Sequence, residues 1–151
     1  MRPVALAAPL IDAMGQHARA TYPDECCGFL IAETDPPDPS GVRRVVEVER
    51  ATNEFDGERR RRFVIRPLDL LEAERRREGT ERIVAGFYHS HPDHPARPSL
   101  FDQEHALPWY TYVVLAVTRE AVPAYGAFEL DDASRTFREV PVITTDPLAK
   151  G

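Results

Sequence analysis

The order of apolar and polar residues predicts a chain that mixes helices and strands. Residues 8–22 carry a one-sided apolar stripe, formed by Leu10, Ile11, Met14 and Ala18. Pro9 suits the first turn of such a helix, and Pro23 marks its end. Residues 26–32 are then apolar without alternation, which is typical of a strand that is covered on both faces.

The rest of the chain predicts two more helices and five more strands. A second helix opens at Pro67, with Leu68 and Leu71 facing inward and Gly79 as its C-terminal cap, and a third begins near Ser99. The further strands are expected at residues 42–50, 82–89, 111–118, 125–130 and 136–140. The pattern therefore predicts three helices and about six strands, without an internal repeat or a glycine-rich phosphate loop.

Composition narrows the class of protein. A chain of 151 residues that is 42% hydrophobic suits a single domain, residues 1–151, with a core that needs no disulfide or metal to fold. A net charge of −6 makes nucleic acid an unsuitable partner. No apolar run is long enough for a membrane span, and Asp12 interrupts the N-terminal segment where a signal peptide is apolar, so a cytoplasmic protein is expected. Cys26 and Cys27 are adjacent and point to opposite faces, which excludes a bond between them.

Residues with metal-binding side chains concentrate around His89 and His91. These two lie two positions apart at the end of a predicted strand, so both imidazoles point to one side and Ser90 points to the other. A proline-rich loop allows Asp102, in the first turn of the next helix, to join them. Three such ligands leave an open coordination position, as in hydrolytic zinc sites. We predict one Zn²⁺ per chain, with other first-row divalent ions as alternatives.

Ser99 has two compatible interpretations. The spacing Ser99-x-x-Asp102 is that of a capping box, in which the serine accepts the backbone N–H of the acid. A serine held beside a metal can also donate its hydroxyl to a developing oxyanion. The remaining histidines, His17, His94 and His105, are expected to have structural or surface roles.

The order of these residues resembles a known family. Glu25, then His89-Ser90-His91-Pro92, then Ser99-x-x-Asp102, resembles the JAMM (MPN-plus) metalloprotease signature without a gap or substitution. The segments YPDECCGFL and GFYHSHP are similar to the compact prokaryotic branch, and the resemblance covers about residues 4–140. It implies a cytidine-deaminase-like, three-layer α/β sandwich with a curved mixed sheet. The chain lacks the Cys-x-x-Cys of nucleoside deaminases, which excludes their chemistry.

The resemblance also implies a role for each residue of the signature. The implied roles are zinc ligation by His89, His91 and Asp102, oxyanion stabilisation by Ser99, and proton acceptance from the zinc-bound water by Glu25. Asp24 is the competing base from the residues alone, but the family places its base at the position of Glu25. A carboxylate within hydrogen-bond reach of such a water can take its proton and later return it to the leaving amine.

The residues and the resemblance together suggest three functions from different classes. The leading one is a zinc (iso)peptidase that hydrolyses the amide bond after the C-terminal Gly-Gly of a ubiquitin-like or sulfur-carrier protein, in the service of cysteine or cofactor biosynthesis. The second is a zinc hydrolase of a small amide or short peptide, and the third is a non-catalytic MPN scaffold. Arginines at positions 59 to 62 lie in a charged segment that is expected to be a solvated loop, or else to meet an acidic patch on the carrier.

Overall fold

A computed structural model describes residues 1–34 and 41–144 of the chain, and this part forms three helices and eight strands. The helices are α1 (Ala8–Thr21), α2 (Pro67–Arg75) and α3 (Leu100–His105). The strands are β1 (Val4–Ala5), β2 (Cys27–Glu33), β3 (Arg43–Ala51), β4 (Arg82–Pro92), β5 (Thr111–Val117), β6 (Ala124–Asp131), β7 (Thr136–Val140) and β8 (Val142–Ile143). None of the described helices is long and apolar enough to cross a membrane.

The strands form one mixed sheet in the order β7-β6-β5-β4-β2-β3-β1-β8. The pairs β4–β5, β1–β3 and β1–β8 are parallel, and the other neighbours are antiparallel. The mixed sheet and the three helices confirm the sequence prediction, but the count of about six strands is wrong. The two additional strands, β1 and β8, have two residues each, which is too short to leave a periodicity in the sequence.

Both faces of the central strand β2 are buried, as its continuous apolar sequence predicts. Leu30 packs into a cluster with Met14 of α1, whereas Phe29 and Ile31 pack into a second cluster with Ala73 of α2. The helices therefore cover the sheet from two sides. Both cysteines are free and buried, which confirms that they do not bond to each other.

The first helix lies where the sequence places it, to within one residue at its C-terminus. Met14 and Ala18 are fully buried against the sheet. His17 is also buried, and its Nδ1 lies 2.8 Å from the hydroxyl of Tyr88 on β4. Burial and the charge of Arg50 lower the pKa of His17 to about 4, so this ring is neutral at pH 7 and has a structural role.

The second helix faces the sheet with different residues from those predicted. Leu68 and Leu71 are 55% and 44% exposed, while Leu70 and Ala73 pack inward. Because Leu68, Leu70 and Leu71 crowd one turn of a short helix, the apolar period alone does not decide which face is buried. The predicted cap is also wrong: α2 ends at Arg75, and Gly79 lies in the following turn with φ of 75°.

Candidate metal centre

The end of β4 places His89 and His91 on one side of the sheet. Both residues are buried: His89 is 1% exposed and His91 is 7% exposed. Ser90 points to the opposite side, where its Oγ accepts the backbone N–H of Cys26 at 2.8 Å. The alternation predicted from the His-x-His spacing is therefore present in the structure.

Asp102 meets the two histidines from the first turn of α3. Its Oδ2 lies 3.0 Å from Nε2 of His89 and 3.0 Å from Nε2 of His91, and the two nitrogens are 3.1 Å apart. Zinc ligands lie about 2.0 to 2.2 Å from the ion, so the corners of their tetrahedron are about 3.3 Å apart. The three atoms have nearly the spacing of three corners around one ion.

Hydrogen bonding alone does not satisfy this cluster. The carbonyl of Pro95 can only accept, so the Nδ1 of His91 at 3.1 Å carries a proton and donates it. In the neutral ring, Nε2 of His91 then presents a lone pair to the carboxylate oxygen of Asp102, 3.0 Å away. Two acceptors at this distance repel each other unless a proton or a cation lies between them.

Three buried polar atoms of the site have no hydrogen-bond partner among the described residues. They are Oε1 of Glu25, Nδ1 of His89 and Oδ1 of Asp102. Unpartnered buried polar atoms are uncommon in folded proteins and indicate an ion, a water or a catalytic role. The donor set and these atoms together fit a divalent cation with its water.

Glu25 lies next to the cluster, directly before β2. It is 3% exposed, and its carboxylate oxygen and the ring nitrogens of His89 and His91 all lie within 4.8 Å of one another. Burial and the nearby charge of Asp102 raise the pKa of Glu25 to about 9 in the absence of a cation. Asp24, the competing candidate, is exposed.

The pKa values of Asp102 and His89 are shifted in directions that suit a cation site. Burial would raise the pKa of Asp102, but the neighbouring ring of His89, the short contacts with both Nε2 atoms and the N–H of Ser99 hold this pKa well below its usual range. Burial lowers the pKa of His89, which favours the neutral ring that binds metals.

Ser99 is the N-cap of α3 and forms both halves of a capping box. Its Oγ accepts the N–H of Asp102 at 3.1 Å, and its own N–H donates to Oδ2 of Asp102 at 2.8 Å. The capping interpretation is therefore confirmed. The same box fixes the carboxylate that faces the histidines.

An apolar cavity of about 320 Å³ opens beside the cluster. The ring of Phe63 stacks on His89, with centroids 4.4 Å apart and planes at 24°. In the sequence, residues 63–65 form only a short apolar run, and nothing in this pattern indicates contact with a histidine. The lining consists of Phe63, Val64, Ile65, Pro67, Leu70, Phe87, His89, Phe101, Asp102, His105, Leu107 and Tyr112.

A second, polar cavity of about 530 Å³ is lined by residues adjacent in sequence to the site. Pro92 and Asp93 follow His91 directly, and Asp93 accepts a hydrogen bond from the hydroxyl of Tyr22 at 2.7 Å. Three arginines and two carboxylates contribute to its lining, which consists of Tyr22, Pro23, Glu58, Arg60, Arg61, Pro92, Asp93, His94 and Arg119.

Comparison with known proteins assigns the family. Residues 7–130 match the model of the prokaryotic homologues of the JAB domain, and the chain belongs to this family. The desampylase of Haloferax volcanii is 29% identical over 116 residues, which cover 74% of this chain and 78% of that protein. These matches confirm the resemblance to JAMM/MPN proteins.

Solved structures agree with this assignment. The solution structure of a protein from Desulfitobacterium hafniense superposes with a TM-score of 0.77 at 26% identity, covering 95% of this chain and 93% of that one. A protein from Salinibacter ruber gives 0.68 at 32%, covering 97% and 93%. A JAB1/MPN domain protein from Archaeoglobus fulgidus gives 0.56 at 16%, covering 95% and 97%, and shows the same fold.

We predict that the metal-free protein binds one Zn²⁺ per chain and gains thermal stability from it. At a free zinc concentration 100 times the Kd, the gain is about 2.7 kcal/mol, whereas Mg²⁺ gives little because imidazoles suit it poorly. His91→Ala and Asp102→Ala should abolish the shift. His94→Ala is the control, because His94 is exposed and outside the cluster. Calorimetry measures the gain in thermal stability, and elemental analysis measures the zinc content. An equal gain in His91→Ala and in wild type would contradict the predicted metal site.

Proposed function

We propose that the protein is a zinc-dependent (iso)peptidase that hydrolyses the amide bond after the C-terminal Gly-Gly of a ubiquitin-like or sulfur-carrier protein. The observation that carries the proposal is the meeting of His89, His91 and Asp102 within 3.1 Å, with the buried carboxylate of Glu25 beside them. The family and the similarity to a desampylase support a hydrolase that acts on conjugates of a ubiquitin-like protein.

The two carboxylates take different roles in this proposal. Asp102 is the third metal ligand, because its Oδ2 lies 3.0 Å from both Nε2 atoms and its position is fixed by the cap of α3. Glu25 remains as the general base, since its Oε1 is buried and has no hydrogen-bond partner within residues 1–34 and 41–144. When bound, zinc lowers the pKa of a coordinated water and polarises the scissile carbonyl.

Glu25 and Ser99 carry the remaining steps. The carboxylate of Glu25 accepts the proton of the attacking water and returns it to the leaving amine. Ser99 Oγ serves as an acceptor in the capping box, so its hydrogen remains available to donate to the developing oxyanion. The lining beside His89 is mostly apolar, which lowers the local dielectric and strengthens both interactions.

Other properties implied by the resemblance or the composition remain predictions. They include the cytidine-deaminase-like sandwich, the single domain over residues 1–151, the cytoplasmic location and the absence of a nucleic-acid partner. The choice of zinc among the first-row ions is also a prediction.

A zinc hydrolase of a small amide is the second candidate. The cavity of about 320 Å³ beside His89 and Asp102 is large enough for a small ligand, and this favours it over a non-catalytic scaffold. Competition separates the two enzymes: a folded carrier protein inhibits cleavage of a short Gly-Gly peptide only if the carrier is the substrate.

Glu25→Gln should keep zinc and stability and lose turnover by about 10² to 10⁴, because the amide keeps its shape but cannot accept a proton. A carrier ending in Gly-Gly and fused through an amide to a reporter provides the assay. Asp24→Asn is the matched control, since Asp24 is the exposed neighbour. Loss of activity in Asp24→Asn with normal activity in Glu25→Gln would show that Asp24, and not Glu25, is the base.

Ser99→Ala separates the two roles of the serine. Loss of the cap should cost about 1 kcal/mol of unfolding free energy, and loss of the oxyanion donor should cost about 10² to 10³ in turnover. Thermal unfolding and the reporter assay are measured on the same preparation. Lowered stability with normal turnover would leave Ser99 only its capping role.

The Gly-Gly specificity predicts a graded response to the carrier tail. A tail lying along a strand edge is held by main-chain hydrogen bonds, and a narrow approach to the metal admits residues without side chains. Changing the last Gly to Ala and then to Val should therefore reduce turnover progressively. Arg60→Ala with Arg61→Ala should weaken the salt dependence if the polar cavity meets an acidic carrier. Indifference to Val would defeat the tail arrangement, and an unchanged salt dependence would remove these arginines from it.

A further inference from the structure

Asn53, the only asparagine of the chain, uses its whole side chain to join backbone segments. It lies just beyond β3, in the loop of residues 52–66 that leads to α2. Its Nδ2 donates to the carbonyl of Glu25 at 3.2 Å and to the carbonyl of Arg62 at 3.0 Å. Its Oδ1 accepts the N–H of Phe55 at 3.0 Å and of Val64 at 3.2 Å. Two donors and two acceptor sites are thus all engaged.

The backbone of Glu25 is held by this loop on both sides. Its carbonyl accepts from Asn53, and its N–H donates to the carbonyl of Arg59 at 2.7 Å. Strand β2 begins only at Cys27, so Glu25 lies before the start of the regular ladder. The direction in which its side chain leaves the backbone therefore depends on the loop.

The same loop also contacts both elements that carry the predicted ligands. Phe63 stacks on the ring of His89 at 4.4 Å, and the guanidinium of Arg62 lies 4.4 Å from the ring centroid of Phe101, next to Asp102 on α3. The loop is thereby fixed to β4 and to α3. Through Asn53 it fixes Glu25 relative to the histidines and Asp102.

We propose that Asn53 is a positioning residue for the proposed reaction: its side-chain amide sets the distance between the Glu25 carboxylate and the His89, His91 and Asp102 cluster. Asn53 touches neither substrate nor metal in this account, which rests on the peptidase function proposed above. A misplacement of about 1 Å at a reacting group lowers rates by up to about 10²-fold.

Two substitutions of Asn53 separate its donors from its acceptors. Asn53→Asp keeps the oxygens that receive Phe55 and Val64 but removes both donors, whereas Asn53→Ala removes all four bonds. Thr80→Ala is the matched control outside the site. Thr80 also ties a loop to itself, donating to the carbonyl of Arg77 at 2.6 Å and accepting the N–H of Arg82 at 3.1 Å.

The kinetic test measures kcat and KM on the amide-linked carrier reporter. Both Asn53 variants should lose about 10- to 100-fold in kcat with little change in KM and in zinc content, and Thr80→Ala should lose less than twofold. In a Glu25→Gln background, Asn53→Ala should have less than a twofold further effect, because the two residues act through one group. Additive losses in the double variant, or normal kcat in Asn53→Asp, would overturn the proposal.

A second test needs no activity. Selective ¹⁵N labelling of asparagine should give one pair of side-chain amide signals in the metal-free protein, with slowed hydrogen exchange from its two bonds. In uniformly ¹⁵N-labelled protein, the Glu25 backbone amide, which donates to the carbonyl of Arg59 in the same loop, should exchange at least 10-fold faster in Asn53→Asp and Asn53→Ala than in wild type and Thr80→Ala. Fast-exchanging Asn53 signals in wild type, or unchanged exchange at Glu25 in the variants, would refute the proposal that Asn53 positions Glu25. Absence of turnover in wild type on every carrier would instead refute the peptidase function and leave this result to decide whether Asn53 positions Glu25.

Discussion

One carboxylate oxygen, Oδ2 of Asp102, takes part both in the cap of α3 and in the candidate metal site. It accepts the N–H of Ser99 at the start of α3 and lies 3.0 Å from the ring nitrogens of His89 and His91. A buried oxygen facing the lone pair of His91 is unfavourable unless positive charge compensates it. The register of β4 and the cap of α3 bring these atoms together, so the local structure of both elements sets the arrangement of the candidate cation site.

The alternation of β4 explains how one strand serves a core and a site. On one face, Tyr88 bonds to His17 of α1 and Ser90 bonds to the backbone N–H of Cys26. The residues between them, His89 and His91, point to the other face. A strand of period two needs no special geometry for this, which is why the sequence was sufficient to predict the ligand pair. Asp102 was predicted from its place in the first turn of the helix that follows the proline-rich loop.

Other parts were not accessible from the pattern. Glu25 has no local signal, because its neighbours across the fold are far away in sequence, and only the family resemblance pointed to it. The contacts of Asn53 are to backbone atoms, which leave no pattern of residue types. The charged segment before Phe63 is an exposed loop, as its composition predicts, but its contact through Arg62 with the ring of Phe101 was not predicted. Cation–π contacts of this kind depend on distant elements and not on local composition.

The loop between β3 and α2 has a firmly held base and a protruding end. Asn53 and Val64 close the base, while Gly57, with φ of 140°, lies at a bend whose neighbours are exposed. Insertions at Gly57 would enlarge the outer surface and leave the Asn53 bond to the Glu25 carbonyl in place. Descendants of this fold can thus acquire new recognition surfaces by lengthening one bend, because Asn53 and Val64 close the base of the loop.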